Sequence, residues 1–484
     1  MRKGLFVKKP IGSHFVETEG EVEAHQLKRH LGAGQLVAIG IGAIIGAGIF
    51  VITGTAAAEY AGPSIVISFI LAAMVCLLTG LCYAELSSTI PVSGGVYSYS
   101  YVALGEFPAW LVGWVFIGQY LVSAATIAVG WAAYLRSFLS DFGINLPLAL
   151  SEAPISYGAH GWGLSGAWIN LPAIFIVLVV GTLISVGIKA VATFNNAMVA
   201  IKLSALVLFI VIGIFHIQTA NWIPFIPENT GTFGVFGWSG VLRASGLVFF
   251  AYIGFDTVAT LAQDAKNPQK DLPKGILGSL GICTVAYIIT ALVLTGVVSY
   301  KLLGVADPMS IALNAMGPAF LWFKIVVKLA ILAGLSSVVL VLLLGLTRVF
   351  LAVSKDGLVS KRFSRMHPIT KTPLFCSIGV SLVSMAIAAF FPVIVLGEIV
   401  SMTTLSLFSM ACLSVLVLRK THPHDQRPFK APFVPWVPIG GILGCVAQMC
   451  FLPMSIWAQF VVWLVLGCLV YYAYGIHNSK LRKV

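Results

Sequence analysis

Uncharged apolar stretches of about 20 residues, long enough to cross the hydrocarbon core of a bilayer, follow one another through nearly the whole chain. Only 10% of the 484 residues are charged, against roughly 25% in a soluble domain. Most of the backbone must therefore lie where charge is expensive, and a helix is the way to satisfy it there. The pattern predicts an all-α integral membrane protein rather than a string of soluble domains. Twelve transmembrane helices are predicted, at roughly 33–58, 63–88, 110–138, 170–189, 194–217, 243–262, 274–298, 322–352, 373–391, 394–418, 434–454 and 456–475.

The net charge of +12 is explained by where the basic residues fall. They crowd the N-terminus (Arg2, Lys3, Lys8, Lys9, Lys28, Arg29), the segments Lys266–Lys274, Lys355–Lys371 and Arg419–Lys430, and the tail (Lys480, Arg482, Lys483). These are alternate connections, and the loops between them are poor in Lys and Arg. By the positive-inside rule both termini are cytoplasmic, in a multi-pass protein of the cell membrane. No basic segment is interleaved with exposed aromatics, which argues against nucleic acid as a partner.

The expected organisation is a cytoplasmic N-terminal tail (1–30), a ten-helix core (31–420), two additional helices (421–475) and a short cytoplasmic tail (476–484). The last two helices follow a basic, proline-rich link, Arg427-Pro428-Phe429-Lys430-Ala431-Pro432. Loops 139–169 and 218–242 are the longer outer ones, where Trp162, Trp168, Trp222 and Trp238 suit an interfacial belt. The eight cysteines lie in or beside apolar spans without a CxxC, and read as packing residues rather than disulfides or metal ligands. The polar first 30 residues give no sign of a cleavable signal peptide.

Two spans are unusual. The first reads Gly40-Ile41-Gly42-Ala43-Ile44-Ile45-Gly46-Ala47-Gly48-Ile49-Phe50, and the sixth reads Phe249-Phe250-Ala251-Tyr252-Ile253-Gly254-Phe255-Asp256. Each glycine costs about 1 kcal/mol relative to alanine inside a helix. Four glycines within nine residues weaken the first span where an unsatisfied backbone group is most costly. The breaks lie about 205 residues and five spans apart, so the two helices run in opposite directions. Matching breaks in oppositely oriented halves point to an inverted-repeat carrier with its site at the midplane. The glycine run also rhymes with a dinucleotide fingerprint, but lacks the strand and the soluble βαβ unit that such a loop needs. Packing of a neighbouring helix on Gly42 and Gly46 is a second reading, compatible with a break.

A broken helix has definite chemistry. In the outer half of the first span, the amides of Gly46, Ala47 and Gly48 are freed at the positive end of a helix dipole, which favours a carboxylate. The inner half ends near Ile44, whose carbonyl is freed, and the sixth span adds carbonyls around Phe250, Ala251 and Ile253. Carbonyls suit an ammonium group. Together they fit the α-amino and α-carboxyl groups of an amino acid without a charged side chain.

Lys202, in the fifth span, stands about eight residues, or roughly 12 Å of helix, past the expected start of that span. An intramembrane lysine is a functional candidate by default. An amine withdrawn from water can load and release a proton near neutral pH; the plainer reading is a lysine that snorkels to the interface. Asp256 reads as a cap on the inner half of the sixth span. Glu85 reads as a gate or structural hydrogen bond. Gln119 faces either the pocket or a neighbouring helix, and Ser336 and Ser337 read as locally bonded. No metal cluster or cofactor is expected. Neither an HExxH motif nor a polar catalytic cluster marks the spans, so no enzyme activity is expected.

At Gly40–Phe50, Tyr83–Gly95 (YAELSSTIPVSGG), Phe249–Asp256 with the following Lys266–Pro273, and Arg348–Leu358 (RVFLAVSKDGL), the chain resembles the amino acid–polyamine–organocation superfamily, in its cationic amino acid transporter branch. The resemblance spans residues 30–475. It implies a leucine-transporter-type fold, with spans 1–5 and 6–10 as 5+5 inverted repeats and two extra helices. It implies that the amides of Gly46, Ala47 and Gly48 bind the substrate carboxylate. The carbonyls of Ile44, Phe250 and Ile253 would bind the amine. Lys202 stands where sodium-coupled relatives hold an ion between the first, fifth and eighth spans, which implies proton coupling. Ala47 departs from the serine or threonine of many relatives, and Gln119 from a glutamate of several cationic-branch members. Leu342 aligns with a side-chain-pocket position and adds apolar bulk. A desolvated cationic side chain needs a compensating partner, so neutral amino acids are expected over arginine or lysine.

The expected function is proton-coupled uptake of neutral amino acids by alternating access. A cationic amino acid transporter and an amino-acid exchanger are the alternatives within transport. A membrane amino-acid sensor that does not translocate is the alternative of another class, disfavoured by the lack of a signalling domain in this sequence.

Overall fold

The computed structural model describes residues 5–9, 31–91, 94–158, 161–186, 188–261, 265–317, 320–367 and 372–483. The basic residues Arg2, Lys3, Lys28, Arg29 and Lys371 of the charge pattern lie outside the described residues. Among the described residues, eight helical segments are long and apolar enough to cross a membrane, and three shorter apolar helices, Leu171–Ser185, Leu374–Phe390 and Trp436–Cys450, accompany them. The protein is thus a multi-pass, mostly helical membrane protein.

The first segment, 33–89, holds two helices in sequence. Helix α1 (Ala33–Ile44) stops at an extended Ile45, and the chain resumes as a wide turn, Gly48–Ile52, that stays helical to Ala61. It then turns at Gly62, where φ is +62°, into α2 (Ile65–Thr89). A short buried helix, α3 (Gly95–Ala103), precedes the long α4 (Glu106–Ser140). A hairpin of β1 (Ile155–Gly158) and β2 (Gly161–Leu164) follows, with Ile155 opposite Leu164 and Tyr157 opposite Trp162. Helices α5 (Leu171–Val186) and α6 (Ile188–Ile214) come next. The second interrupted span is α7 (Gly237–Val248), a tight turn Phe249–Tyr252, and α8 (Phe255–Thr260). The rest is α9 (Pro268–Val297), short α10 (Pro308–Ala315), α11 (Leu321–Lys355), α12 (Leu374–Phe390), α13 (Val393–Thr421), α14 (Trp436–Cys450) and α15 (Met454–Val470).

Helix α9 packs on both α1 and α2, α11 packs on α4 and α6, and α13 packs on α4 and α14. Small residues let these backbones approach: a methyl at Gly40 would meet Ser279 of α9, and one at Gly42 would meet Val199 of α6. The packing role expected for the glycine run and its break therefore coexist.

Several boundaries differ from the sequence expectation, each for a physical reason. Helix α4 begins at Glu106 rather than near 110, because that fully buried carboxylate is compensated. It accepts hydrogen bonds from Tyr101 Oη at 2.9 Å, Tyr471 Oη at 2.8 Å and the Ser479 hydroxyl, and pairs with Arg482 at 3.0 Å. Helix α6 begins at Ile188, six residues earlier than expected, because helical backbone carries through the polar stretch Lys189–Asn196. Lys202 thereby stands about 21 Å of helix from the start of α6. The short helices α3 and α10 and the hairpin fill connections read as loops.

The end of the molecule where residues 5–9 and 476–483 lie is tied by ion pairs. Glu85 of α2 accepts two hydrogen bonds from Arg419 at 2.8 Å each, one from the Ala431 amide at 2.8 Å, and pairs with Arg427 at 3.4 Å. It thus clamps the proline-rich link to the core, a structural role. Asp356, just past α11, pairs with Lys9 and accepts from Tyr97 Oη at 2.7 Å. At the opposite end Asp141 pairs with Lys324 at 2.5 Å and Lys328 at 2.7 Å.

Candidate functional site

The two interruptions meet. In the first, the Ile45 amide closes the last turn of α1 on the Ile41 carbonyl at 2.9 Å, and regular bonding resumes with the Phe50 amide on Gly46 at 3.3 Å. A helix start leaves its first amides without intrahelical partners, and here that position belongs to Gly46, Ala47 and Gly48. In the second, Ile253 is extended and Gly254 takes a φ of +125°, a left-handed conformation that side chains resist. The Gly254 amide donates to Asp256 Oδ1 at 3.1 Å, so Asp256 caps the inner half-helix.

Close approach fixes one break against the other. A methyl on Gly48 would stand 2.2 Å from Ala251 Cα, and one on Gly254 would stand 2.6 Å from the carbonyl carbon of Ala43. The Tyr287 hydroxyl, from α9, lies 2.9 Å from the Ile44 carbonyl and 2.8 Å from the Ala251 carbonyl. It bridges the two breaks. This residue was missed in the sequence; the available signal was a tyrosine in mid-span, whose hydroxyl needs a partner once buried.

Between the breaks lies a small cavity lined by Ala43, Ile44, Gly46, Ala47, Gly48, Phe250, Ile253, Gly254 and Thr257. Ser123 and Ile127 of α4, with Val338, Val341 and Leu342 of α11, close its other side. It leaves about 30 Å³ for the centres of water-sized molecules, room for ~2–3 waters. No ionisable side chain is among the lining residues.

Of the residues singled out from the sequence, Ile44, Gly46, Ala47, Gly48, Phe250, Ile253 and Leu342 line this cavity together. Ala251 does not; it packs against Gly48 and offers its carbonyl to Tyr287. Gln119 does not line it either: its Nε2 donates to Thr404 Oγ1 of α13 at 2.9 Å, a bond between helices. Lys202 stands behind the break, fully buried, with Nζ donating to the Gly42 carbonyl and its stem against Gly334 of α11. Ser336 and Ser337 donate to the carbonyls of Leu332 and Gly334, each at 2.8 Å.

A polytopic helical protein whose two interrupted spans enclose an uncharged cavity of backbone amides and carbonyls has the architecture of a solute carrier. The family model described as "Amino acid permease" matches residues 31–474, and the chain belongs to that family. It is a transporter, not an enzyme. The chain is 42% identical over 479 residues to the methylthioribose transporter of Bacillus subtilis, covering 99% of each chain. It is 41% identical over 486 residues to the branched-chain amino acid permease BcaP of the same organism, covering 100% of each. The vacuolar cationic amino acid transporter 4 of Arabidopsis thaliana is 36% identical over 411 residues, which cover 85% of this chain and 66% of that one.

Proposed function

We propose that this protein takes up neutral, small to medium amino acids together with a proton, by alternating access around the central cavity. The observation that carries the reading is the cavity itself. Its wall between the breaks is backbone, with helix-start amides on one side and helix-end carbonyls on the other. Such a wall holds a carboxylate and an ammonium at once. The amides of Gly46, Ala47 and Gly48 take the carboxylate. The carbonyls of Ile44, Phe250 and Ile253 take the amine, with Ala251 supporting them through Tyr287. Leu342, Val338, Val341 and Ile127 leave an apolar compartment for the side chain, which offers nothing to a desolvated guanidinium or ammonium.

Lys202 is the proton site in this reading. Its amine rests on the Gly42 carbonyl, in the inner half of the first span, so gain or loss of a proton acts directly on the half-helix that ends at the cavity. Gln119 serves by bracing α4 against α13. Twelve spans are proposed, with 31–420 as two inverted repeats of five, 421–475 as two added helices and both tails, 1–30 and 476–484, in the cytoplasm. The three shorter apolar helices, and the two helices held within the single segment 33–89, support that count.

The resemblance to the methylthioribose transporter supports a second reading, a thioether sugar as substrate. Reconstituted in liposomes, the protein should accumulate labelled valine, leucine or alanine when the outside is acidic, with arginine a poor competitor. Competition by methylthioribose but by no amino acid would replace the first reading with the second. Gly46→Leu should abolish binding by filling the cavity; retained affinity would put the site elsewhere. Counterflow that is indifferent to a pH gradient would make the protein an exchanger.

A further inference from the structure

The apolar compartment has one exception. Ser123 of α4 lines the cavity, is 1% exposed, and its hydroxyl is buried without a hydrogen-bond partner among the described residues. Serines in helices commonly donate back to the carbonyl one turn earlier, as Ser336 and Ser337 do here. Ser123 does not. Of the buried unpartnered side-chain atoms among the described residues, it is the one whose residue lines the central cavity. An unmade bond in a buried place is costly, and a native structure keeps such a group where something else completes it.

The position says which part of a substrate would do so. The carboxylate and amine are assigned to the backbone of the two breaks. Helices α4 and α11 form the opposite wall, so Ser123 faces the substrate's side chain. Ile127 follows it at i+4 on the same face of α4, and Val338, Val341 and Leu342 come from α11. The wall from these two helices is therefore apolar except for the Ser123 hydroxyl, which can give and accept a hydrogen bond; the cavity's other hydroxyl, Thr257, comes from the wall of the breaks.

Resting on the amino-acid reading above, we infer that Ser123 determines specificity by hydrogen-bonding a hydroxyl on the substrate side chain, so that β-hydroxy amino acids are preferred over apolar ones of the same shape. Threonine and valine are the natural pair, since they differ by a hydroxyl in place of a methyl. A site that bonds a substrate hydroxyl discriminates against the analogue lacking it, because the site's own polar group is then left unmade.

The test uses the full chain in liposomes, with labelled alanine as the reporter and threonine or valine as competitor. Wild type should favour threonine by roughly 5- to 150-fold in half-inhibitory concentration, the range set by one unmade buried hydrogen bond. Ser123→Ala should bring that ratio to about one or reverse it. Ser123→Cys, which keeps the shape with a slightly larger atom but bonds weakly, should do the same. The melting temperature of Ser123→Ala without substrate should equal or exceed that of wild type, since no protein hydrogen bond is lost. A threonine preference that survives both substitutions, its absence from wild type, or a lowered melting temperature would overturn the inference while leaving amino-acid uptake intact. If no amino acid competes with the reporter or is taken up, the proposed function falls and the inference with it.

Discussion

Gly48→Ala and Gly46→Ala make the same chemical change two residues apart, and the structure assigns them different outcomes. A methyl on Gly48 would lie 2.2 Å from Ala251 Cα, 2.4 Å from Ala251 Cβ and 2.9 Å from the Ala251 amide nitrogen. Relaxed carbon contacts are about 3.5–4.0 Å, so the interrupted spans must part by roughly 1.3 Å or more. Most of the opposing atoms are backbone, and no rotamer change moves them away. Overpacking of this kind costs about 1–3 kcal/mol, equivalent to roughly 5- to 150-fold in an equilibrium constant. A methyl on Gly46 meets the two methyl groups of Val338 at 3.5 Å and the Ile44 carbonyl oxygen at 3.9 Å, all ordinary contacts. Neither glycine has a positive φ, so space and not backbone conformation separates them. The assay is the melting temperature of each purified variant without substrate. Gly48→Ala should fall by on the order of a few degrees, and Gly46→Ala should stay close to wild type. Equal melting temperatures for Gly48→Ala and wild type, or an equal fall for both variants, would refute the claim that the breaks are held together by contact at Gly48.

Lys202→Ala should leave substrate binding measurable but flatten the dependence of uptake on external pH, read as initial rates across a pH series; an unchanged profile removes Lys202 from coupling. Tyr287→Phe should keep the fold and strip a buried donor from the Ile44 and Ala251 carbonyls, a loss of about 1–3 kcal/mol. It should lower substrate affinity and melting temperature together, and normal affinity would mean the two breaks do not depend on that bridge. Glu85→Gln should weaken the clamp on Arg419 and Arg427 and increase proteolysis in the link 422–435, with uptake per folded molecule retained; protease resistance equal to wild type would contradict the clamp.

The interrupted spans were legible in the sequence because a glycine run at mid-membrane weakens a helix at the depth where loose backbone costs most, and six of the residues they suggested line one cavity, joined there by Leu342, which the family resemblance supplied. Lone polar residues inside spans were harder. Gln119 and Ser123 lie one turn apart on α4, yet one bonds to a neighbouring helix and the other lines the cavity. Spacing along a single helix does not reveal what stands opposite each face. Tyr287 is a related case, since its importance depends on two carbonyls far away in sequence. The start of α6 was hidden because Lys189, Thr193, Asn195 and Asn196 have the composition of a connection, although the backbone is helical there.

Residues 5–9 and 476–483 lie at the same end of the molecule. The Leu5 and Val7 carbonyls accept from the Phe107 and Glu106 amides, and Ser479 and Arg482 close on the Glu106 side chain. Residues 476–483 therefore seal a carboxylate into the helix that lines the cavity, and they are not a free handle. Purification strategy follows from this. A rigid fusion placed directly after that stretch, or a deletion that begins at Gly475, would expose an uncompensated charge at the root of α4. A reporter joined through a long flexible spacer would leave the seal intact.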